Sequence, residues 1–526
     1  MMPPSSNSHT RIPWRTGVRG VVAWALVTGA TVAAHAQVRR PLTLDDALAL
    51  AEATSEQVTI AEAGVNRAES AEQRVKSERK PQLSSALSYD RTLDSEFRGL
   101  FDSGGEPTCD PLTVRPDASL ADRVGELERA YDCQPASSPF GSGGNDLPFG
   151  QDNAYRLNLS LSQSLFTGGR LAAQERQASL GRRSADLGLT STRAQVSYDV
   201  SQAYYDAALS DRLVAIAEET LAQADRTFEQ TRAQREAGRQ SEFDLLRAQV
   251  ARDTLRPQII QRRAVRDLAH LRLKQLLELP ADTQLDLVAR LDDDVLPPPE
   301  RFAPGLADAA TAGVSKVGGR LALSQLQNDV SVREAAIDVV RAQRWPSVSL
   351  NSSYGRVGYR GYPTWPRTNW TVGASVSMPL LTGGRISAEE ASARADLDET
   401  RARLKLAEEL AQLDAESARL DVASSLAAWQ ATADTIQQAQ RAYEIAELRY
   451  REGLSTQLEL SDARLLLEQA QVNRALAARN VQVARARLAL LPDLPLTTAA
   501  GVVSQALQAA ATPVQTAAQT TAGAQR

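Results

Sequence analysis

Reactive side chains are scarce in this chain. Of its three histidines, His9 and His35 fall in a leader-like segment described below. His270 remains, in the helical stretch RDLAHLRLKQ, a place for packing or a helix surface rather than for proton transfer. The two cysteines, Cys109 and Cys133, make an even pair, for which a disulfide is the expectation in an exported chain. One histidine and two cysteines so placed supply neither a zinc ligand set nor a Cys/His nucleophile. No catalytic residue, metal site or cofactor is therefore expected. Carboxylates are plentiful, 64 in all, so some pair is always close. Acid–base work by such a pair, as in a hydrolase, needs a concave pocket before it means anything. Three carboxylates stand out by position. Asp244 follows Ser241 by three residues in SEFD, Glu459 follows Thr456 by three in TQLE, and Asp462 lies one turn further on. The first two can complete capping boxes and suit the positive end of a helix; Asp462 is the one that capping explains least.

The elements that position these residues are written twice. SLFTGGRLAAQ is echoed by PLLTGGRISAE, and the glycine pairs Gly168-Gly169 and Gly383-Gly384 are 215 residues apart. AQREAGRQSEFDLLRAQ around Gly238 resembles LRYREGLSTQLELSDAR around Gly453, again 215 residues on. One register over two motifs marks a tandem structural repeat. The glycine pairs lack the Gly-Lys-Ser/Thr ending of a phosphate-binding loop and read as the place where strand gives way to helix.

Residues 1–36 have the order of a secretory signal peptide: Arg11, Arg15 and Arg19, an apolar run from Val21 to Ala34, then Ala34-His35-Ala36. The run is too short and too interrupted for a membrane anchor. Losing those three arginines takes the formal net charge from −5 to −8. The remaining basic residues are interspersed with acidic ones, so no nucleic-acid partner is expected. With no long apolar stretch after the signal, contact with a membrane must be through β-strands.

Each repeat supplies two. In 81–90, Leu83, Leu87 and Tyr89 oppose Gln82, Ser84, Ala86 and Ser88; in 155–166, Tyr155, Leu157, Leu159 and Leu161 oppose Arg156, Asn158, Ser160 and Ser162. In 346–355, Val348, Leu350 and Tyr354 alternate with Ser347, Ser349, Asn351 and Ser353, and in 369–380 Trp370, Val372, Ala374, Val376 and Met378 alternate with small residues. An apolar outer face, a small polar inner face and aromatic ends are the pattern of a lipid-embedded barrel around water. Four strands cannot close a barrel, for which about eight are needed, so several chains must pool theirs.

After each glycine pair come some sixty-five residues of strong helix formers. Leu406, Leu410, Leu413, Ser417, Leu420, Ser424, Ala427 and Ala431 step by four and three as a heptad seam. Gly238 and Gly453 fit C-caps, after which return helices run to about 278 and 490. The expected organisation is a first repeat, 37–278, with a helix, two strands, a long inserted loop over 91–153 and a helical hairpin over 170–278. An equatorial linker, 279–318, follows. The second repeat is 319–490, with its hairpin over 385–490, and 491–526 is a disordered tail.

At 42–492 this order of helix, strand, strand, TGGR junction, long helix, tip turn and return helix resembles the TolC-type outer-membrane efflux and secretion channels. The fold class the resemblance implies is mixed α and β. Long helical hairpins form a periplasmic α-barrel, joined to a four-strand contribution to a shared trimeric transmembrane β-barrel. The implied place is the Gram-negative outer membrane, with a long periplasmic portion, and the implied surroundings are outer-membrane lipid. The implied partners are two further copies, a periplasmic adaptor and an inner-membrane pump of resistance-nodulation-division or ABC type. By spacing from the tip glycines, Asp244 falls on the family's gate aspartate, Tyr450 on the gate tyrosine that bonds it, and Glu459 and Asp462 on the acidic ring. Ser455 stands where the family's best-known member has an arginine that locks neighbouring copies together, so any lock here is built differently, with Arg239 or Arg451 as the candidates. The adaptor-contact turns are the tips with Gly238, Gly453 and Leu454. The rival reading is an exported coiled-coil spacer or adhesin without a pore.

Overall fold

A computed structural model describes residues 41–94, 112–113, 115–133, 153–289, 291, 295–306, 319–359 and 367–496. The signal-peptide expectation, most of the inserted loop and the tail beyond 496 lie outside these residues, as does Cys109. In chain order the elements are β1 (Pro41–Leu42), α1 (Leu44–Thr54), α2 (Glu56–Ser77), β2 (Gln82–Arg91), α3 (Leu120–Asp132), β3 (Asn153–Phe166), α4 (Arg170–Glu236), α5 (Glu242–Asp253), α6 (Leu255–Leu276), β4 (Asp286–Leu287), α7 (Leu321–Ala342), β5 (Ser347–Gly358), β6 (Arg367–Ser377), α8 (Arg385–Arg451) and α9 (Gln457–Leu490).

The repeat is exact in its longest parts. Helices α4 and α8 both have 67 residues, about 100 Å at 1.5 Å per residue. Each begins after a glycine pair in left-handed backbone, with φ of 63° and 90° at Gly168 and Gly169 and 57° and 83° at Gly383 and Gly384. Side chains resist that region, which is why the motif is doubled glycine. Gly168 has a second constraint: a Cβ there would meet Trp345 Cβ at 2.6 Å and the Ala342 carbonyl at 2.7 Å. The strand-to-helix turn of the first repeat therefore seats directly on the helix-to-strand turn of the second.

The four long strands form one antiparallel sheet in the order β2-β3-β5-β6. Its register keeps like with like. Leu83 faces Leu161, Leu87 faces Leu157 and Tyr89 faces Tyr155 across β2 and β3; Val348 faces Val376 and Tyr354 faces Trp370 across β5 and β6. The other face is a ladder of hydroxyls, with Ser84–Ser160 at 2.6 Å, Ser349–Ser375 at 2.7 Å and Ser353–Thr371 at 2.9 Å. These pairs satisfy small polar groups within the sheet and leave the surface wettable. The apolar face is bare: Leu83, Leu87 and Trp370 are each 72% exposed. Both edges, β2 and β6, carry unpaired backbone groups, a state that hydrocarbon does not tolerate. No helix among the described residues is long and apolar enough to cross a membrane.

The helices form a layer in which α2 and α6 pack on α4, α4 on α7 and α9, and these on α8. The main core lies at the equator, where α1, α4, α6 and α9 bury Leu48, Val200, Tyr204, Leu273 and Val481. Tyr204 is fully buried among them, its hydroxyl donating to the Leu42 carbonyl at 2.9 Å and accepting from the Ala289 N–H at 3.3 Å. That one side chain holds the β1–β4 pair, which joins the start of the first repeat to the linker that follows it, against the long helix. Asp414 of α8, 2% exposed, receives Arg320 and Arg487, each at 2.8 Å, from the start of α7 and the end of α9.

Three sequence expectations change. The single first helix is two, because the chain turns out of helical backbone at Ser55 and the Glu278 carboxylate caps the Glu56 N–H at 2.6 Å. The first return helix is also two, α5 and α6, broken at Thr254. Pro257, third residue of α6, has no N–H to bond the Asp253 carbonyl. The Leu406, Leu413 and Leu420 seam does not face its own protomer, being 57%, 49% and 59% exposed; the row buried there is one residue on, Ala407, Ala411, Asp414 and Ala418.

Candidate functional site at the hairpin tips

Both tips are closed by the same backbone device. At the first, the Arg239 N–H reaches the Gln234 carbonyl at 2.8 Å and the Gly238 N–H the Arg235 carbonyl at 2.8 Å; at the second, Leu454 bonds Arg449 at 2.8 Å and Gly453 bonds Tyr450 at 3.1 Å. In each pair the first is a six-to-one and the second a five-to-two bond, and they close over a glycine at φ 74°, the Schellman end that stops a helix without exposing its last carbonyls. A residue later the chain caps the next helix. Ser241 Oγ accepts from the Asp244 N–H at 3.1 Å and Thr456 Oγ1 from the Glu459 N–H at 3.3 Å. Ser241 Oγ also donates to the Asp244 carboxylate at 2.6 Å.

That last bond corrects one expectation. Tyr450 is buried and close enough to feel the Asp244 charge, but its hydroxyl is bonded to Thr231 Oγ1 at 2.7 Å and not to Asp244. Thr231 Oγ1 gives its own proton to the Thr227 carbonyl at 2.8 Å, so Tyr450 is the donor in the pair. Burial, first, and then the Asp244 charge push the Tyr450 hydroxyl above its ordinary pKa, while the bond to Thr231 opposes them. The Asp244 element is held instead through its backbone. Gln457 is buried, and its amide, oriented to satisfy both neighbours, donates to the Asp244 carbonyl at 3.1 Å and accepts from the Ala248 N–H at 2.8 Å. Thr231 and Gln457 are thus the side chains that clasp the two hairpins at the tip. Sequence reasoning missed both, since each reads as an ordinary polar residue of a helix.

Glu459 and Asp462 sit together on the exposed face of α9, three residues apart, while Gln457, Leu460, Ala463 and Leu467 form its buried face. Neither carboxylate is used by an ion pair within the chain among the described residues. Arg239 and Arg451 are exposed, and Ser455 Oγ reaches only the Ala446 carbonyl at 3.5 Å. His270 lies at the equator, far from the tips in sequence, with Nε2 at 2.9 Å from Asp211 of α4. No group of three or more His, Cys, Asp or Glu among the described residues is placed to hold a metal.

An unfinished membrane sheet joined by glycine hinges to a layer of 100 Å helices defines a channel protomer rather than an enzyme. The profile of the outer membrane efflux protein family matches residues 137–278 and 318–492, together 317 of the 526 residues, and the chain belongs to that family. Among curated proteins it is similar to nodulation protein T of Rhizobium leguminosarum bv. trifolii, 25% identical over 265 residues, which cover 49% of this chain and 52% of that protein. The chain therefore spans about half the length of the curated relatives it matches. Among solved structures it is similar to the outer membrane protein VceC of Vibrio cholerae, with a TM-score of 0.60 at 18% identity over 86% of this chain and 97% of that one. The CmeC outer membrane channel of Campylobacter jejuni gives 0.63 at 14% identity over 88% of each chain. At these identities the likeness is one of fold: an α-barrel joined to a β-barrel.

Proposed function

We propose that three copies of this chain form one continuous duct through the outer membrane and into the periplasm, serving as the exit of a tripartite efflux or type I secretion system. The observation that carries this reading is the four-stranded sheet with two open edges. Three such sheets give twelve strands, joined β6 to β2, and leave no edge in lipid. The helices agree. The α8 side of the layer offers exposed Leu406, Leu413, Leu420 and Leu448, and the opposite side offers exposed Phe243, Leu246, Val265 and Leu268 on α5 and α6. Such bare rows at the two flanks suit a head-to-tail ring that closes on itself.

In this reading the tips narrow the periplasmic end. Asp244, Tyr450, Glu459 and Asp462 belong to its gate, with Arg239, Arg451 and Ser455 available to the neighbouring protomer, and the turns at Gly238, Gly453 and Leu454 meet a periplasmic adaptor of the pump. Cys109 is the partner assigned to Cys133. Rings of three Glu459 and three Asp462 focus a negative potential that favours cations. The test is conductance of the purified protein in planar bilayers. Glu459→Ala with Asp462→Ala is expected to move the reversal potential in a salt gradient toward zero selectivity. Unchanged cation preference removes the acidic ring, and absence of any conductance from wild type in detergent-extracted form overturns the duct. The rival spacer or adhesin has no use for two mirrored strand pairs with a hydroxyl-lined face.

A further inference from the structure

Helix α3 is the one long helix among the described residues that packs extensively on no other element. None of its thirteen residues is buried, yet it is amphipathic, with Leu120, Val124, Leu127 and Tyr131 at 79%, 45%, 54% and 75% exposure. Their spacing of four, three and four places all four within an arc of about 60° at 100° per residue. That is the narrow stripe of a coiled-coil seam, not the broader face by which a helix lies on a protein core. Reading Leu120 and Leu127 as d and Val124 and Tyr131 as a puts Arg123 at g and Glu128 at e, on opposite flanks of the seam. The g residue of one strand and the e residue five positions later on a parallel neighbour are the pair that form interhelical salt bridges. A helix carrying Arg at one and Glu at the other complements itself.

The membrane surface fits this helix poorly. Arg123 and Arg129 against Asp122, Glu126, Glu128 and Asp132 leave it with a net charge of −2, whereas helices that lie on anionic lipid are rich in Lys and Arg. A second copy is supplied by the sheet. In the register of β2 and β3, Arg91 faces Asn153, so the segment holding α3 leaves and returns at the strand ends opposite those joined to α2 and α4. Three such segments rise around one mouth in the trimer proposed above, on which this inference rests. Twelve strands about 4.8 Å apart and tilted by about 40° enclose a radius of roughly 12 Å. The connectors, residues 92–119 and 133–152, are far longer than that span requires. A thirteen-residue helix alone is marginal, but three tethered at one mouth meet at an effective concentration in the millimolar range.

We infer that the α3 helices of one trimer pack on each other as a parallel three-stranded coiled coil at the extracellular mouth, joined along Leu120, Val124, Leu127 and Tyr131 and keyed by Arg123 to Glu128 of the next copy. Cys133, which ends α3, is disulfide-bonded, and no free cysteine is present among the described residues, so an introduced thiol can be labelled selectively. The experiment places a nitroxide at Leu127→Cys, and separately at Val124→Cys, in the full-length protein in liposomes, with Arg129→Cys as the outward-facing control. Native mass spectrometry of the same samples reads the oligomeric state. Coiled-coil packing brings the seam labels within roughly 10 Å of each other. The expected result is dipolar broadening at positions 124 and 127 that is lost when labelled chains are diluted about tenfold with unlabelled ones, and weaker broadening at 129. Trimeric protein without broadening at both seam positions overturns the coiled coil and leaves the duct standing. The same absence with fast relaxation by oxygen assigns the helix to lipid and also overturns it. Protein that is not trimeric sinks the duct itself.

Discussion

Asp414→Asn probes the most buried carboxylate among the described residues. Asp414 is 2% exposed, and its carboxylate receives Arg320 on one oxygen and Arg487 on the other, both at 2.8 Å. Arg487 has a second carboxylate, Asp421 at 3.1 Å. Arg320 is less well supplied: it is 3% exposed, and its Nε and one terminal nitrogen are buried without a partner. The amide keeps the shape but presents one acceptor and one NH₂, so one arginine faces a donor. The loss is one charge-assisted bond, about 1.5–3 kcal/mol, plus the cost of a buried guanidinium without its counter-charge. Breaking buried pairs of this kind costs about 3–5 kcal/mol in total. The assay is the midpoint for loss of helical circular dichroism on heating in detergent, which should fall sharply. Arg320→Met with Asp414→Leu should recover most of the stability, because removing both partners leaves no orphaned charge at that end. A midpoint for Asp414→Asn within error of wild type would refute the claim that this carboxylate holds three helices together.

The two glycines of the first junction should differ on substitution. Gly169→Ala meets no atom within 4 Å and suffers only left-handed strain, about 1–2 kcal/mol, whereas Gly168→Ala also drives a methyl into Trp345 and the Ala342 carbonyl. Yield of folded, membrane-extracted protein should drop far more for Gly168→Ala, and equal yields would remove the close approach from the account. Acidification should loosen the junction of α7 and α8, where Glu390 receives Arg341 at 2.9 Å and Arg344 and Arg394 at 2.6 Å. The hydrogen bond from Arg341, then the three positive charges, hold the Glu390 carboxyl below its ordinary pKa against the opposing effect of burial. A depressed pKa contributes stability that is full above the unfolded-chain value and is lost as pH falls through the folded one. Glu390→Gln should therefore flatten the dependence of the melting midpoint on pH below about 4.3; an unchanged slope would show that this cluster does not titrate on unfolding.

Much of the fold was legible because the repeat is written in residues with few alternatives. Only glycine accepts the backbone at positions 168, 169, 383 and 384 without strain, so doubled glycine located the strand-to-helix junctions. Alternation of Leu or Tyr with Ser or Asn located four strands to within two or three residues. What the sequence hid were breaks and partners. Pro257 was in plain view, but a proline in the first turn of a new helix reads much like one inside a long helix until the bond it forgoes is seen. Ser55 gives no sign of a turn, because the group that caps the next helix is Glu278, from the far end of the repeat. Tyr450 was found by its distance from Gly453, yet its partner Thr231 is 219 residues away, and nothing in an Ala-, Gln- and Arg-rich helix marks one threonine as the acceptor.

The misplaced seam on α8 has a physical lesson of its own. Ala407, Ala411, Asp414 and Ala418 face inward, and Leu406, Leu413 and Leu420 face outward; the two rows are about 100° apart around the helix, one residue's turn. A surface helix of a closed monomer needs one apolar stripe, and a second of large residues would be an exposed liability. Small residues line the row that meets α7 and α9, which lets those backbones approach closely, while the large ones are kept for a surface that the chain itself never covers. A helix built with two seams requires two neighbours, and within one chain α8 has helices on one side only. The heptad step could be read from the sequence because it belongs to the helix; the choice of neighbour could not, because in the proposed duct it belongs to the assembly. The same division holds at the sheet, where the pairing of β2 with β3 and of β5 with β6 is fixed inside the chain, while among the described residues nothing pairs the outer edges of β2 and β6, which the proposed duct assigns to further copies.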